Sequence, residues 1–263
     1  MNDTVTAPDT DQVTACVMII GDEVLSGRTE DANLNWLATR LTGMGIRLAE
    51  ARVIPDDEDA IIAAINEARE KYTYVFTTGG IGPTHDDITA LCVAKAFGTG
   101  LERRAEAVKL LEEHMGRDRL NEARLKMAEV PVGSTLIDNP VSKAPGFRMG
   151  NVHVMAGVPS IMRAMFDGIA SDLKGGAKML SRTVVAYLPE GTVAEGLGRV
   201  QDDHPDTEIG SYPFYKAGKF GCSLVTRATD PDELDAAAED IRQMIRDLGG
   251  EPHEDDGSEL PPG

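Results

Sequence analysis

Cysteine is scarce in this sequence. Only three are present among 263 residues, Cys16, Cys92 and Cys222, and they lie far apart. An odd and dispersed set of cysteines predicts neither a disulfide framework nor a zinc site. A reducing, cytoplasmic location is the default expectation for such a chain.

Positive charge and long apolar segments are also in short supply. Lys and Arg total 26 against 44 Asp and Glu, which gives a formal net charge of −18. This balance argues against a nucleic-acid partner, because phosphate backbones need clustered basic residues. No apolar run approaches the roughly 18 residues that span a bilayer, and the polar residues 1–11 do not resemble a signal peptide. We therefore expect no membrane partner.

The length and composition predict one large domain and a smaller one. The chain exceeds the ~150 residues of an average domain, and its apolar share of 41% is ordinary for a globular protein. We predict a disordered arm at residues 1–12 and an α/β domain at 13–176. A small α+β domain is expected at 177–250, followed by a disordered acidic tail at 251–263.

The first domain alternates short apolar runs with helical patterns. Buried strands are predicted at residues 13–20, 47–54 and 72–78, with helices between them. This βαβαβ order is typical of a mostly parallel sheet with helices on both faces, a three-layer α/β/α sandwich. Beyond it we predict helices at 86–97, within 103–127 and at 159–173, and strands at 134–137 and 152–155. In the small domain, strands are predicted at 183–188, 207–211 and 219–227 and helices at 193–200 and 231–248.

One loop carries the strongest functional signal. Parallel strands end at one edge of the sheet, where open α/β sheets bind their ligands, and residues 79–87 follow the third strand there. Glycines permit close backbone approach, a proline stiffens the turn and a threonine supplies a hydroxyl. This combination predicts a phosphate-binding loop. Its residues are Gly79, Gly80, Gly82, Pro83 and Thr84.

Carboxylates accompany all three of the loops expected at this edge. Carboxylates beside a phosphate repel it unless a cation lies between them, and hard oxygen ligands select Mg²⁺ or another divalent metal. The chemistry open to such a site is displacement at phosphorus, with the nucleophile undetermined. Asp57 and Glu58 are assigned to helix capping instead. The candidate metal ligands are Asp87, Asp86, Asp22, Glu23 and Asp56.

A plainer interpretation competes for part of this loop. Thr84, Asp86 and Asp87 could simply cap the following helix, because acids in a first turn favour the helix dipole. The conjunction of three glycines, a proline and paired acids directly after a buried strand favours the phosphate-binding interpretation.

Several segments resemble a known family. They are Gly21-Asp22-Glu23 continuing to Asp31-Ala32-Asn33, Pro55-Asp56-Asp57, residues 78–89, and Asn139-Pro140 with Ala144-Pro145-Gly146-Phe147. In order and spacing they resemble the molybdopterin-binding domain of MoaB, MogA and MoeA proteins, and above all the N-terminal half of CinA-type proteins. The resemblance is specific over residues 13–173 and looser over 191–248.

The resemblance implies a molybdopterin-binding fold, homo-oligomers (dimers or trimers), and a pocket for a phosphate-containing nucleotide or a molybdopterin-type ligand. Asp87, Asp86 and Glu23 would be catalytic, and Asp87, Asp22 and Asp56 would bind the metal. The ligand would contact Gly21, Asp22, Asp56, Gly79, Gly80, Gly82, Pro83, Thr84, Lys143 and Gly146.

Three functions follow from this resemblance. The first is a divalent-metal-dependent pyrophosphatase acting on ADP-ribose- or FAD-like dinucleotides, and the second is molybdopterin binding or adenylylation. The third is a non-catalytic nucleotide or pterin sensor. This last hypothesis rests on departures from the family pattern, since Ala156 stands where a proline is usual and Ile161 where a glutamate is frequent.

Overall fold

The computed structural model describes residues 12–216 and 218–254. The predicted N-terminal arm, apart from residue 12, and the last nine residues of the predicted tail lie outside these ranges. The chain divides after Gly176 into two compact units. In the described ranges, no helix is both long and apolar enough to cross a membrane.

The first unit alternates strands and helices along its first half. Its elements up to the fourth helix are β1 (Thr14–Ile20), α1 (Asp22–Leu25), α2 (Asn33–Gly43), β2 (Arg47–Ile54), α3 (Glu58–Lys71), β3 (Tyr74–Thr78) and α4 (Thr89–Ala96). Helix α3 shows why the boundaries fall where they do. The Asp57 carboxylate accepts a hydrogen bond from the Ala60 N–H at its start, and Arg69 and Lys71 occupy its last turn.

The rest of the unit consists of shorter elements. These are β4 (Leu101–Arg103), α5 (Ala105–Met115), α6 (Glu122–Leu125), β5 (Glu129–Pro131), β6 (Thr135–Ile137), β7 (Gly146–Met149), β8 (Val152–Met155) and α7 (Pro159–Ile169). Short 3₁₀ turns at Arg117–Arg119, Lys126–Ala128 and Ala170–Asp172 join them.

A six-stranded sheet in the order β2-β1-β3-β8-β7-β6 forms the middle layer. Strands β2, β1, β3 and β8 are mutually parallel, whereas β7 is antiparallel to both of its neighbours. Strand β1 alternates between two cores: Cys16, Met18 and Ile20 pack on the side of α3 and α4, and the residues between them pack on the side of α2 and α7. The predicted three-layer, mostly parallel fold is therefore confirmed.

Several details of the first unit differ from the sequence-based expectation. Three short strands were not predicted: β4 and β5 have three residues each, and β7 has four and begins with a glycine. Helix α4 begins at Thr89 and not at residue 86, so Asp86 and Asp87 belong to the preceding loop. The interpretation of these acids as first-turn helix residues is wrong.

The second unit is a small α+β domain, as expected. It contains β9 (Leu180–Ala186), α8 (Glu190–Asp203), β10 (Glu208–Lys216), β11 (Lys219–Ala228), α9 (Pro231–Asp247) and β12 (Pro252–Glu254). Its sheet has the order β10-β11-β9-β12 and is antiparallel throughout. Val193 and Val200 of α8 and Ile241 and Ile245 of α9 share one buried core with Leu224 of β11.

Strand β12 corrects the predicted start of the acidic tail. Residues 252–254 were placed in a disordered segment because Pro, Glu and Gly dominate the local composition. They instead pair with β9, with His253 opposite Val185. Backbone hydrogen bonds to β9, which would otherwise be an edge strand, hold these residues in place. The amino-acid composition of the segment does not reveal such pairing.

Candidate phosphate-binding site at the strand ends

Residues 79–87, which we call the glycine loop, leave β3 at the carboxyl edge of the sheet. Gly79 and Gly80 have φ values of 102° and 66°. A Cβ on Gly79 would lie 2.2 Å from the Ile20 carbonyl oxygen, and one on Gly80 would lie 2.1 Å from Oγ1 of Thr89. Both positions therefore require glycine on conformational and steric grounds. The loop backbone runs directly against the end of β1.

The glycine loop is closed on itself by Asp87. Its Oδ2 accepts hydrogen bonds from the Thr84 N–H at 2.7 Å and from the Thr84 hydroxyl at 2.5 Å. The same carboxylate covers Gly82, whose Cβ, if present, would stand 2.6 Å from Oδ2. The turn that contains Pro83 is thus fixed by a carboxylate rather than by the following helix.

The ends of β1 and β2 are joined by a second carboxylate. Asp56 Oδ2 accepts a hydrogen bond from the Asp22 N–H at 3.0 Å, and the Gly21 N–H donates to the Ile54 carbonyl oxygen at 3.1 Å. Asp57, by contrast, caps α3, as predicted. The two neighbouring aspartates therefore have different roles: Asp56 binds the backbone at the end of β1, and Asp57 caps α3.

Four acids from these three loops form one negative region. Partial burial raises the pKa of the Asp56 carboxyl, and the carboxylates of Asp22, Glu23 and Asp86 raise it further, against the opposing hydrogen bond from the Asp22 N–H. The carboxylates that were predicted to converge thus influence one another electrostatically.

This negative region does not form a complete metal site on its own. Among residues 12–216 and 218–254, no group of three His, Cys, Asp or Glu side chains is arranged to hold a metal ion. Mg²⁺ commonly takes only one or two protein carboxylates and completes its coordination with phosphate oxygens and water. A divalent ion at this edge would need such additional ligands.

A small cleft flanks the glycine loop and contains a residue that sequence reasoning missed. Gly80, Gly82 and Asp87 line one side, and Lys126 and Phe147 are among the residues that line the rest. Lys126 Nζ donates a hydrogen bond to the Thr84 carbonyl oxygen at 2.5 Å. Nothing in the local sequence marks Lys126, because its partner lies 42 residues earlier in the chain.

Asn33 is a second polar residue that was left out of the predicted site. The residue is 3% exposed, and Nδ2 donates to the Gly157 carbonyl oxygen at 2.8 Å. Gly157 lies against Gly79. The side chain therefore ties the start of α2 to the loop after β8, and the motif Asp31-Ala32-Asn33 was the available signal.

Two predicted ligand residues lie elsewhere: Lys143 is in the loop before β7, and Gly146 is the first residue of β7. Lys143 has a left-handed backbone with φ 60°, and its N–H donates to the Asn139 carbonyl oxygen. Lys143 is not among the residues that line the cleft. At Gly146, a Cβ would stand 2.2 Å from the Val154 carbonyl oxygen, so the contact between β7 and β8 accounts for this glycine.

A parallel sheet with a glycine loop and acids at its carboxyl edge defines a class of phosphate-ligand domains. Residues 16–175 match the family described as a probable molybdopterin binding domain. The chain belongs to this family, which confirms the resemblance seen in the sequence. Residues 178–249 match the middle domain of FAD synthase.

Individual proteins agree with this assignment. A protein of Pyrobaculum calidifontis is 37% identical over 251 residues, which cover 89% of this chain and 96% of that protein. A probable FAD synthase of Caenorhabditis elegans is 30% identical over 88% of this chain, and the match covers 50% of that longer protein. A crystal structure of the protein CinA from Thermoplasma acidophilum, 34% identical, covers 62% of this chain and 99% of its own with a TM-score of 0.59.

Proposed function

We propose that this protein is a divalent-metal-dependent pyrophosphatase that cleaves dinucleotides such as ADP-ribose or FAD. The observation that carries the proposal is the convergence of Asp22, Glu23, Asp56 and Asp86 beside a glycine loop at the strand ends. A match of the second unit to an FAD synthase domain supports a dinucleotide as the ligand class.

The residues present suit a hard divalent cation. Their donors are carboxylate oxygens, which Mg²⁺ prefers. Partial burial is the main cause of the raised pKa of Asp56, and the charges of Asp22, Glu23 and Asp86 add a repulsion that a cation would offset. Asp22 and Asp56 lie on loops joined by a hydrogen bond, and one or two of these carboxylates would hold the ion while phosphate oxygens and water complete its coordination. Oδ1 of Asp87 remains for a ligand, because Oδ2 is bound to Thr84. When bound, the ion would neutralise phosphate charge and polarise the phosphoryl oxygens.

The protein's own groups would orient the reaction. The backbone of Gly79, Gly80 and Gly82 would approach the diphosphate closely, because no Cβ stands in the way. Glu23 or Asp86 would accept the proton of the attacking water. The water oxygen bonds to one phosphorus as the bridging P–O bond breaks. ADP-ribose thus yields AMP and ribose 5-phosphate, and FAD yields AMP and FMN.

The direct test is product analysis on the purified full chain. ADP-ribose and FAD are incubated with Mg²⁺, Mn²⁺ or Co²⁺, and AMP is measured by chromatography. We expect AMP only when a metal is present, and a loss of about a hundredfold or more in kcat/KM for Asp87→Asn. The matched control is Asp59→Asn, which makes the same chemical change at an exposed position in the first turn of α3.

Two outcomes would remove the proposal. One is the absence of AMP from both compounds with every metal tested. The other is full activity of Asp87→Asn, since the closed loop would then play no part in turnover.

A second candidate is adenylylation of molybdopterin, which the family match favours. The same loop and acids would bind ATP and the pterin phosphate. Incubation with ATP, Mg²⁺ and molybdopterin should then release pyrophosphate and form an adenylylated pterin. If the protein neither retains molybdopterin nor consumes ATP in its presence, this candidate is excluded.

A further inference from the structure

Lys126 is the one basic side chain that lines the cleft beside the glycine loop in the described part of the chain. Its ammonium group crosses to the loop and donates one hydrogen bond, to the Thr84 carbonyl oxygen at 2.5 Å. Within the described ranges Lys126 forms no ion pair. An ammonium has three N–H donors, so this geometry leaves two for another acceptor in the cleft.

The backbone that carries Lys126 is well anchored. It belongs to the 3₁₀ turn Lys126–Ala128, and Ala128 is fully buried against Ala107 and Leu111 of α5. The Ala128 carbonyl oxygen also accepts a hydrogen bond from the Arg104 N–H at 3.0 Å. The base of the side chain is therefore held in place while its tip reaches the loop.

The loop lies in an acidic environment, so a positive charge beside it would favour the binding of a phosphate. Asp86 and Asp87 belong to the loop, and the charge of Asp86 acts on Asp56 together with those of Asp22 and Glu23. The net charge of the chain is −18. A diphosphate approaching these carboxylates would be repelled, and backbone N–H groups carry only partial charges. A fixed ammonium at the cleft offsets part of this repulsion.

We propose that Lys126 is a phosphate-binding residue: it holds the glycine loop through Thr84 and binds an oxygen of the ligand's diphosphate with its remaining N–H groups. This assignment rests on one part of the proposed function, phosphate binding by the glycine loop, and does not require pyrophosphatase activity. It adds a residue that neither the motifs nor the acids indicate, and it extends the ligand contacts across the cleft to the segment after α6.

Inorganic pyrophosphate, with Mg²⁺, is the probe, because it contains the diphosphate and nothing else. Binding to the full chain is measured by isothermal titration calorimetry for four variants. Lys126→Met removes both the charge and the donor, and Lys126→Gln removes the charge but keeps a donor for Thr84. Lys126→Arg keeps both. Lys109→Met is the matched control, since Lys109 lies on α5 with a 76% exposed side chain.

We expect Lys126→Met and Lys126→Gln to weaken pyrophosphate binding about tenfold or more, which is typical of a lost charge-assisted hydrogen bond. Lys126→Arg should stay within about threefold of the wild type, and Lys109→Met should be unchanged. In thermal unfolding, pyrophosphate should raise the Tm of the wild type but hardly that of Lys126→Gln. A purely structural role would change the Tm without ligand and leave this ligand-induced shift intact.

The inference is overturned if Lys126→Gln binds pyrophosphate within twofold of the wild type, or if the wild type does not bind it. Its failure is distinguishable from failure of the proposed activity. Lys126-dependent pyrophosphate binding without AMP release from ADP-ribose or FAD would remove the pyrophosphatase and leave the role of Lys126 standing.

Discussion

The Cα of Gly79 packs against the carbonyl oxygen of Ile20, the last residue of β1. A Cβ at this position would stand 2.2 Å from that oxygen, and the backbone has a φ of 102°. The contact brings the glycine loop next to the acids that follow β1. It is the point at which strand packing and the candidate site depend on the same residue.

Replacement of Gly79 by alanine should therefore damage both stability and ligand binding. The left-handed backbone costs about 1–2 kcal/mol for an alanine, and the clash with Ile20 adds to this by moving the loop. Gly98→Ala is the control, since Gly98 has a φ of 66° but a Cβ there would meet no atom within 4 Å. We expect Gly79→Ala to lower the free energy of unfolding by more than Gly98→Ala, and to abolish pyrophosphate binding. Equal losses of stability in chemical denaturation would contradict the clash.

Asp56→Asn should separate stability from activity. Burial and neighbouring carboxylates raise the pKa of Asp56 above its ordinary 3.8. Ionisation of Asp56 therefore destabilises the folded protein, and this loss of stability develops as the pH rises from 3.8 through the pKa of the folded state. Asparagine removes that charge and can still accept the hydrogen bond from the Asp22 N–H. We expect an unchanged or higher Tm at pH 7, and metal-dependent activity lowered about tenfold or more. A lower Tm with intact activity would show that the carboxylate serves the fold instead.

Glu50 should support stability against acid. Arg52 Nε donates to its carboxylate at 2.6 Å, and the Tyr72 hydroxyl donates to the same group. These hydrogen bonds lower the pKa of Glu50 to about 2. An acid whose pKa falls on folding contributes stability above its unfolded value of 4.5, and this is lost as the pH falls towards 2.

Glu50→Gln should thus lower the free energy of unfolding by about 1 kcal/mol at pH 7, after allowance for solvent screening. Its stability should also depend less on pH between 4.5 and 2. Urea denaturation at several pH values measures both effects. Glu67→Gln is the matched control, because Glu67 pairs with the same Arg52 but its side chain is 61% exposed. Similar acid sensitivity of Glu50→Gln and the wild type would refute this assignment.

His204 should give the second unit the opposite pH dependence. Its Nε2 lies 2.8 Å from Asp240 Oδ2, and Glu233 lies on the Nδ1 side at 3.6 Å. The hydrogen bond with Asp240 raises the pKa of His204 above 6.5. Stability from this group is complete below the ordinary histidine pKa and is lost as the pH rises through the folded value.

His204→Gln should therefore cost about 1 kcal/mol at pH 6 and much less at pH 9. His85→Gln, at a 98% exposed side chain, should change stability at neither pH. Thermal unfolding of the full chain, followed by circular dichroism, measures the difference. Tryptophan fluorescence is unsuitable, because the single tryptophan, Trp36, lies in the first unit. A cost that is the same at both pH values would show that His204 acts only through packing.

Much of the first unit was accessible from local patterns. The short apolar run that forms β1 and ends at Gly21 indicated a buried strand. The alternation with helices predicted that β1, β2 and β3 are parallel, which the structure confirms. Local composition failed at β7, where four residues carry too little periodicity, and at β12, where order comes from pairing with β9.

The candidate site divides in the same way. Gly79 and Gly80 were predicted because a glycine requirement is encoded at the residue itself, and the positive φ values bear out that reasoning. The position of Asp87 was predicted less well. It was expected in or near a helical turn, but its carboxylate folds back onto Thr84 while α4 begins only at Thr89.

The sequence by itself determined the sheet, its helical layers and the loop that leaves β3, because hydrophobic periodicity and glycine placement act over a few residues. Only the tertiary structure decided which charges share the site. The contact of Asp56 with Asp22 spans 34 residues and that of Lys126 with Thr84 spans 42. Such pairs are set by how the strand ends and the 3₁₀ turn pack together, and no local pattern of residues records that packing.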